Sequence, residues 1–412
     1  MKSLAFSPSS STLAFGIATL LVMVPLSGWA TPELVLQMDT SWRHDSNPLR
    51  VGSADVADNL VSTDVRLSAI APLDSPESRV VVSSQFGDYR YGHLDGLNNY
   101  PQSYKGALEL RWTDLWSGAV SQSYRRQPYQ VVDANLTRHD VYSQTDTNAS
   151  LKLQMTPWIA FPLELRSGNL SYGADANAGF NAHSSAVALG LRVGSGTGSS
   201  AGIGVQSTEV WFPDRTGPQL VSGGSGYHQQ ELYVDGLWEL SPFTRVTVRA
   251  APWQRNYDGI ADNTFTALAT AFQLRYTYSP KTSVSFDWSD GPTDATDSTA
   301  LYTRVNRLQW GGQWRPSPIT QIVVNLSQQR QSNQAVVGST ALNPEIRSYR
   351  LGAGFVYAAS RDVRLYMDGF TDRTQQDILG PDILQNVVRV GLEYTFENIS
   401  DAAIRAGLGG RR

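Results

Sequence analysis

Histidines and aspartates are the residues of this sequence whose chemistry could support metal binding or acid–base catalysis, and their spacing argues against both. The five histidines lie far apart, at His44, His93, His139, His183 and His228, and none forms an HxH or HExxH pattern. The acidic stretch 287–300 lacks the residue order and closing glutamate of an EF-hand loop. We therefore expect no bound metal and no cofactor.

The sequence also gives little support for a catalytic nucleophile. The chain has no cysteine, which excludes a thiolate metal site and a cysteine nucleophile. No GxSxG nucleophile elbow occurs, and the glycine-rich stretch 194–200 has no lysine that could reach a phosphate. The sequence predicts a protein that is not an enzyme.

Arginine is the residue type whose pattern does suggest a function. The chain has only four lysines, so nearly all the basic residues within its alternating segments are arginines. The guanidinium fork binds carboxylates and phosphates bidentately. We take eleven arginines as candidates for lining a solute path: Arg66, Arg111, Arg166, Arg192, Arg245, Arg249, Arg275, Arg307, Arg350, Arg364 and Arg389.

The charge balance along these segments favours an anionic solute. The polar phase holds sixteen basic and eleven acidic candidates, Asp362 among the acids, while the whole chain has a net charge of −4. We therefore place the acidic surplus in the loops. An alternative reading remains open, in which the arginines pair with acids on neighbouring strands and only stiffen the wall.

The elements that position these arginines are β-strands. Apolar and polar residues alternate in about eighteen segments of roughly ten residues, most clearly over 387–396. Short connections alternate with long polar ones, among them 45–59, 126–138, 289–300 and 372–383. This pattern predicts an all-β transmembrane antiparallel barrel of about 18 strands, with both termini in the periplasm. A soluble sandwich or propeller would give no reason for the alternating loop lengths.

The ends of the chain indicate export. A lysine, an apolar run over 13–26 and small residues at 28 and 30 are typical of a signal peptide covering 1–30. No later run is long and apolar enough for a membrane helix. We therefore expect a barrel over 31–397, a periplasmic tail over 398–412 and a place in the cell outer membrane. The charge balance makes nucleic acid an unlikely partner.

Aromatic residues support contact with outer-membrane lipid. Nine of them flank the short connections, where an interfacial belt is expected: Trp112, Trp116, Trp158, Trp238, Tyr278, Trp314, Tyr357, Tyr394 and Phe396. The segment VRVGLEYTF also resembles the closing-strand signal that the barrel-assembly machinery reads, carried by Gly391, Tyr394 and Phe396. We expect that machinery to be a partner.

Two further segments suggest a family. HDSNPLR (44–50) and YRYGHLDG (89–96) resemble segments of the EpsL-like, exopolysaccharide-associated outer-membrane barrels. The resemblance implies a barrel encoded with polysaccharide synthesis genes, which helps to export the polymer. Its implied partners are the polysaccharide and inner-membrane synthesis or export components.

Three hypotheses for function follow. The leading one is export of an acidic exopolysaccharide through the arginine-rich lumen. The second is a general or anion-selective porin for small solutes, and the third is a structural or adhesion barrel with a plugged lumen.

Overall fold

The computed structural model describes residues 33–50, 52, 56–73, 77–133, 136–217, 220, 224–259, 264–294, 300–335, 345–377 and 382–397, with the side chains of 129–139, 176 and 335 left out. The predicted signal peptide (1–30) and the predicted tail (398–412) lie outside the described residues. None of the helices among the described residues is long and apolar enough to cross a membrane.

Eighteen strands make up one sheet. In chain order they are β1 (Glu33–Asp45), β2 (Asp58–Pro72), β3 (Arg79–Tyr91), β4 (Gln102–Arg111), β5 (Trp116–Asp133), β6 (Leu136–Thr156), β7 (Ile159–Tyr172), β8 (Ala182–Gly194), β9 (Ser200–Trp211), β10 (Gly226–Ser241), β11 (Thr244–Tyr257), β12 (Thr264–Ser279), β13 (Thr282–Asp294), β14 (Ala300–Ser317), β15 (Thr320–Ala335), β16 (Glu345–Ala358), β17 (Val363–Gln376) and β18 (Ile383–Glu397). Two short 3-10 helices, Asp95–Leu97 and Asp175–Phe180, lie in connections.

The sheet closes on itself. Each strand pairs antiparallel with its neighbours in the chain, and β1 pairs with both β2 and β18. Closure leaves no unpaired edge, which is the condition for strands to cross a lipid bilayer. The predicted 18-stranded antiparallel barrel is confirmed.

Connections of different length gather at the two ends of the barrel. Eight connections make what we call the short-turn end: 73–78, 112–115, 157–158, 195–199, 242–243, 280–281, 318–319 and 359–362. The other nine make the long-loop end: 46–57, 92–101, 134–135, 173–181, 212–225, 258–263, 295–299, 336–344 and 377–382.

All the segments expected as long loops are partly strand at their ends, so their predicted bounds were wrong. The clearest case is 126–138, where β5 and β6 continue and leave only 134–135 between them. β1, β13 and β17 likewise reach Asp45, Asp294 and Gln376. Backbone pairing needs no apolar face, so strands continue past the point where apolar alternation stops.

The outer surface is apolar. On β18, Val388, Val390 and Leu392 are all more than 40% exposed, and the residues between them project to the other face. The nine predicted belt aromatics are all exposed and lie at or near the short-turn end. Apolar side chains exposed all around a closed barrel fit a surrounding of lipid.

Candidate lumen site

The inner face of the barrel is polar and encloses a cavity of about 1210 Å³. β1 to β3 and β13 to β18 contribute its lining. Amides are frequent in that lining, at Gln37, Gln85, Gln309, Gln313, Gln321 and Asn325. Such a wall favours water and hydroxylated solutes over apolar ones.

The register places all eleven predicted arginines on the inner face. Residues directly opposite each other on paired strands project to the same side of the sheet. Starting from residues that line the cavity, the strand pairing therefore shows for each strand in turn which residues face inward. Arg66, Arg350, Arg364 and Arg389 line the cavity itself. The other seven lie elsewhere on the inner wall.

Eight of these arginines have a carboxylate partner. Four of the pairs are formed with Asp287, Asp368, Asp372 and Glu393, at 2.6–3.0 Å. Arg111 contacts Glu77 and Asp114 in the short turns, and Arg166 contacts Glu164 on its own strand. Arg192 contacts Asp235, and Arg249 contacts Glu231. Pairing of arginines with acids on the wall, the alternative reading, therefore applies to most of the candidates.

Three of the arginines have no carboxylate partner among the described residues. Arg66 donates to Gln85 Oε1 at 2.8 Å, and Arg307 donates to Gln329 Oε1 at 3.0 and 2.6 Å. The Arg245 side chain makes no hydrogen bond or ion pair with the part of the chain that the structure describes. A glutamine carbonyl orients the guanidinium groups of Arg66 and Arg307 without neutralising them. The positive charges of all three arginines therefore remain available to a solute in the lumen.

Aromatic rings of the cavity lining support two of the paired arginines, and Tyr233 supports a third, Arg249, at 4.3 Å. Arg389 lies 5.0 Å from the Tyr366 ring centroid, and Arg350 lies 4.4 Å from that of Phe370. Both rings line the cavity. A cation this close to a ring face is attracted by the electrons of the ring, which favours the observed positions of the two guanidinium groups. Sequence reasoning missed these rings, although both alternate with outward apolar residues on β17.

Several charged residues on the wall were not expected there. Asp45, Asp58, Asp146 and Asp372 face inward, three of them in segments that the sequence assigned to loops. Arg255 and Arg315 add cations, while Glu33, Asp140 and Glu397 share the inward phase of their strands as further acids. Basic and acidic residues on the inner wall are therefore nearly equal in number. Asp362, predicted to face the lumen, lies instead in the 359–362 turn, because β16 ends at Ala358 and β17 begins only at Val363.

At the long-loop end, residues of β13 and β14 contact inward-facing residues of β10 and β11. Tyr227 donates its hydroxyl proton to Asp294 Oδ1 at 2.6 Å, and Arg255 lies 3.5 Å from the same oxygen. The Trp253 and Tyr302 rings meet edge to face, with centroids 5.6 Å apart. These contacts narrow the opening at the long-loop end, a feature that the sequence does not reveal.

A second set of contacts ties neighbouring connections together at this end. The Arg215 guanidinium lies 3.5 Å from the Phe212 ring centroid and donates to the carbonyl oxygens of Gly179 and Gly224, at 3.3 and 3.1 Å. Burial lowers the pKa of Arg215 from its usual value. The connections 173–181 and 212–225 therefore support each other.

The first motif of the family resemblance joins the end of β1 and the connection after it to β17 and β18. Asp45 accepts hydrogen bonds from the Asn47 backbone and from Gln385 on β18, at 2.9–3.0 Å. Asn47 donates to the Leu384 carbonyl oxygen at 3.2 Å. Arg50 lies 3.6 Å from Asp372 on β17. The motif therefore has a structural role at the seam where the barrel closes.

The second motif shapes the connection between β3 and β4. The backbone N–H groups of His93 and Leu94 donate to the buried Asp58 carboxylate, at 3.0 and 2.8 Å. The Tyr91 backbone donates to Asn98 Oδ1 at 2.7 Å. These bonds fix the chain around the 3-10 helix Asp95–Leu97.

The predicted assembly residues occupy both faces of β18. Tyr394 and Phe396 face outward and are exposed. Gly391 faces inward beneath the Tyr366 ring, whose hydroxyl donates to Asp39 at 2.8 Å. The structure thus gives Gly391 a packing role; an assembly signal at these three residues stays a prediction.

Metal ligands do not converge. Within the described ranges, no group of three or more His, Asp or Glu side chains could hold a metal ion. Asp287 and Asp290 of the acidic stretch lie on β13 and pair with Arg275 and Arg304. Its other aspartates include Asp294, which binds Tyr227, and Asp297, which lies outside the described residues.

Comparisons with known proteins identify the fold. No family model matches this chain, and no curated protein matches its sequence. OccK2 (OpdF) of Pseudomonas aeruginosa, in a complex with glucuronate, has a TM-score of 0.51 and 9% identity over 90% of this chain and 99% of that one. A second OccK2 structure gives 0.51 and 10% identity over 91% and 100%. The siderophore receptor PirA of P. aeruginosa gives 0.45 and 9% identity over 88% and 80%.

Proposed function

We propose that this protein is an outer-membrane channel of the porin kind, which passes small hydrophilic solutes and favours carboxylates. The observation that carries the proposal is the polar cavity of about 1210 Å³ inside a closed barrel with an apolar exterior. This volume exceeds the roughly 300–1,000 Å³ of a typical small-molecule site, so several waters and a solute fit together.

The exterior supports the membrane location. Lipid would cover the exposed apolar band, and the aromatic belt would lie at one interface. By the loop-length rule for bacterial barrels, the long-loop end would face outward and both termini would face the periplasm.

The inner wall supports a preference for anions. Three arginines on it, Arg66, Arg245 and Arg307, have no carboxylate partner among the described residues. Nine of the inward acids form ion pairs with arginines, whereas Asp39 and Asp64 in the cavity lining accept hydrogen bonds from Tyr366, Gln85 and Tyr89 instead. The similarity in fold to OccK2, one of whose structures contains glucuronate, agrees with an acidic small solute.

The narrowed long-loop end favours small solutes over a polymer. A polysaccharide passing outward would need to displace the contacts among Tyr227, Asp294 and Arg255. Export of an exopolysaccharide, which the EpsL-like resemblance implies, stays a prediction, and so do its synthesis partners. Blocking by polymer is therefore included in the test.

Planar-bilayer recording of the full-length processed protein tests the proposal. In a salt gradient, we expect a stable conductance whose reversal potential shows preferred passage of chloride, and measurable glucuronate permeability. An acidic polysaccharide should leave the current unchanged. A silent barrel would contradict the proposal, and a current interrupted by polymer but not by glucuronate would favour the exporter.

A further inference from the structure

Two arginines lie side by side on the inner wall close to the short-turn end. Arg245 on β11 is directly opposite Arg275 on β12. Directly opposed residues have Cβ atoms about 4.5–5.5 Å apart, and like charges in this position repel each other. An anion near this pair, from the side chains of the protein or from solution, would relieve this repulsion.

Among the described residues, the two guanidinium groups have one bound carboxylate between them. Arg275 donates to Asp287 Oδ2 at 2.9 Å. Glu239, opposite Arg245 on its other side, makes no ion pair with it. The Glu239 carboxylate instead lies against the turn at Gly198, where an added Cβ would be 2.5 Å from Glu239 Oε2.

Another opposed pair in the same barrel provides a comparison. Arg43 on β1 is directly opposite Arg389 on β18. There, each guanidinium has its own carboxylate: Arg43 contacts Asp45, and Arg389 donates to Asp368 at 2.9 Å. Arg245 and Arg275, in contrast, have one carboxylate between them among the described residues.

The neighbouring side chains suit a hydroxylated solute. Ser285 is directly opposite Arg275 on β13, and both Ser285 and Asp287 line the cavity, so the arginine pair lies on the inner wall beside the cavity. Gln273 and Thr247 occupy the next inward positions above the two arginines and are directly opposite each other. Hydroxyl and amide groups beside a guanidinium pair can bind a carboxylate and the hydroxyls next to it.

We propose that Arg245 and Arg275 form a binding site for the carboxylate of a sugar acid at the short-turn end of the lumen. This inference rests on the proposed channel function and names its substrate class. The two guanidinium forks hold the carboxylate in place of the missing side-chain acid, while Ser285 and Gln273 contact the hydroxyl groups.

Titration with glucuronate tests the site. In the full-length protein, glucuronate should reduce chloride current through single channels, and Arg245→Gln and Arg275→Gln should each raise its half-blocking concentration at least fivefold. Arg245→Lys should give an intermediate value, since it keeps the charge but loses the fork. Glucose has no carboxylate, so its effect on the current should not change.

Arg249→Gln is the matched control. Arg249 lies on the same strand and the same face and carries the same charge, but Glu231 and the Tyr233 ring, at 4.3 Å, already bind it. Its replacement should change the half-blocking concentration less than twofold. Equal effects of the 245 and 249 substitutions would overturn the site, because total lumen charge alone would then account for the result.

A calorimetric titration in detergent separates failure of the site from failure of the channel. If the wild type is silent in bilayers but binds glucuronate, and Arg245→Gln abolishes the binding, the site stands and the channel proposal fails. If the wild type conducts and Arg245→Gln binds glucuronate as tightly as the wild type, the site is refuted and the channel proposal stands.

Discussion

Replacing Asp45 with asparagine should weaken the barrel at the seam where its first and last strands meet. Asp45 is 1% exposed at the end of β1. Its carboxylate contacts Arg43, accepts from the Asn47 backbone at 3.0 Å, and accepts from Gln385 Nε2 at 3.0 and 2.9 Å. Gln385 lies on β18, so these bonds hold together parts of the chain that are far apart in sequence.

The expected loss in the free energy of unfolding depends on which of the Asp45 contacts an asparagine can still make. The amide oxygen can still accept a hydrogen bond, but the ion pair with Arg43 is lost. Breaking a buried ion pair by removing one partner costs about 3–5 kcal/mol. Because 28% of the Arg43 side chain is exposed, water can solvate part of its charge, and we expect about 3 kcal/mol, near the lower limit. This corresponds to roughly a hundredfold change in the unfolding equilibrium.

Urea unfolding of the barrel in lipid vesicles, followed by tryptophan fluorescence, measures this loss. Asp88→Asn is the control, since Asp88 and Arg90 form an exposed pair whose loss should leave the urea midpoint nearly unchanged. A cost below 1 kcal/mol for Asp45→Asn, or equal costs for the two variants, would refute the assigned role of the seam.

Three further substitutions test other parts of the structure. Gly391→Val should destabilise the barrel by about 1–3 kcal/mol, because a Cβ there overlaps the Tyr366 ring; an unchanged urea midpoint would contradict this packing. Asp294→Asn should increase single-channel conductance by removing the charge that holds Tyr227 at the long-loop end, whereas equal conductance would mean that this contact does not limit the opening. Phe396→Ala should reduce the yield of assembled protein in the outer membrane with little change in urea stability, and a normal yield would place the assembly signal elsewhere.

Strand number and facing could be derived from the sequence because both depend on local patterns. Side chains alternate with a period of two, and lipid and water select opposite residue types for the two faces. The alternation over 387–396 therefore gave the correct face for Arg389 and for Val390 without any knowledge of their neighbours. Connection lengths showed which ends of the strands lie together.

Which arginines are neutralised was decided only by the tertiary structure. Arg249 and Arg245 have the same residue type, strand and face, yet Glu231 binds the first while the carboxylate of Glu239 lies away from the second. Partner choice depends on the register between strands and on rotamers, neither of which is encoded locally. The same holds for Asp45 and Gln385, which are 340 residues apart and meet only because the barrel closes.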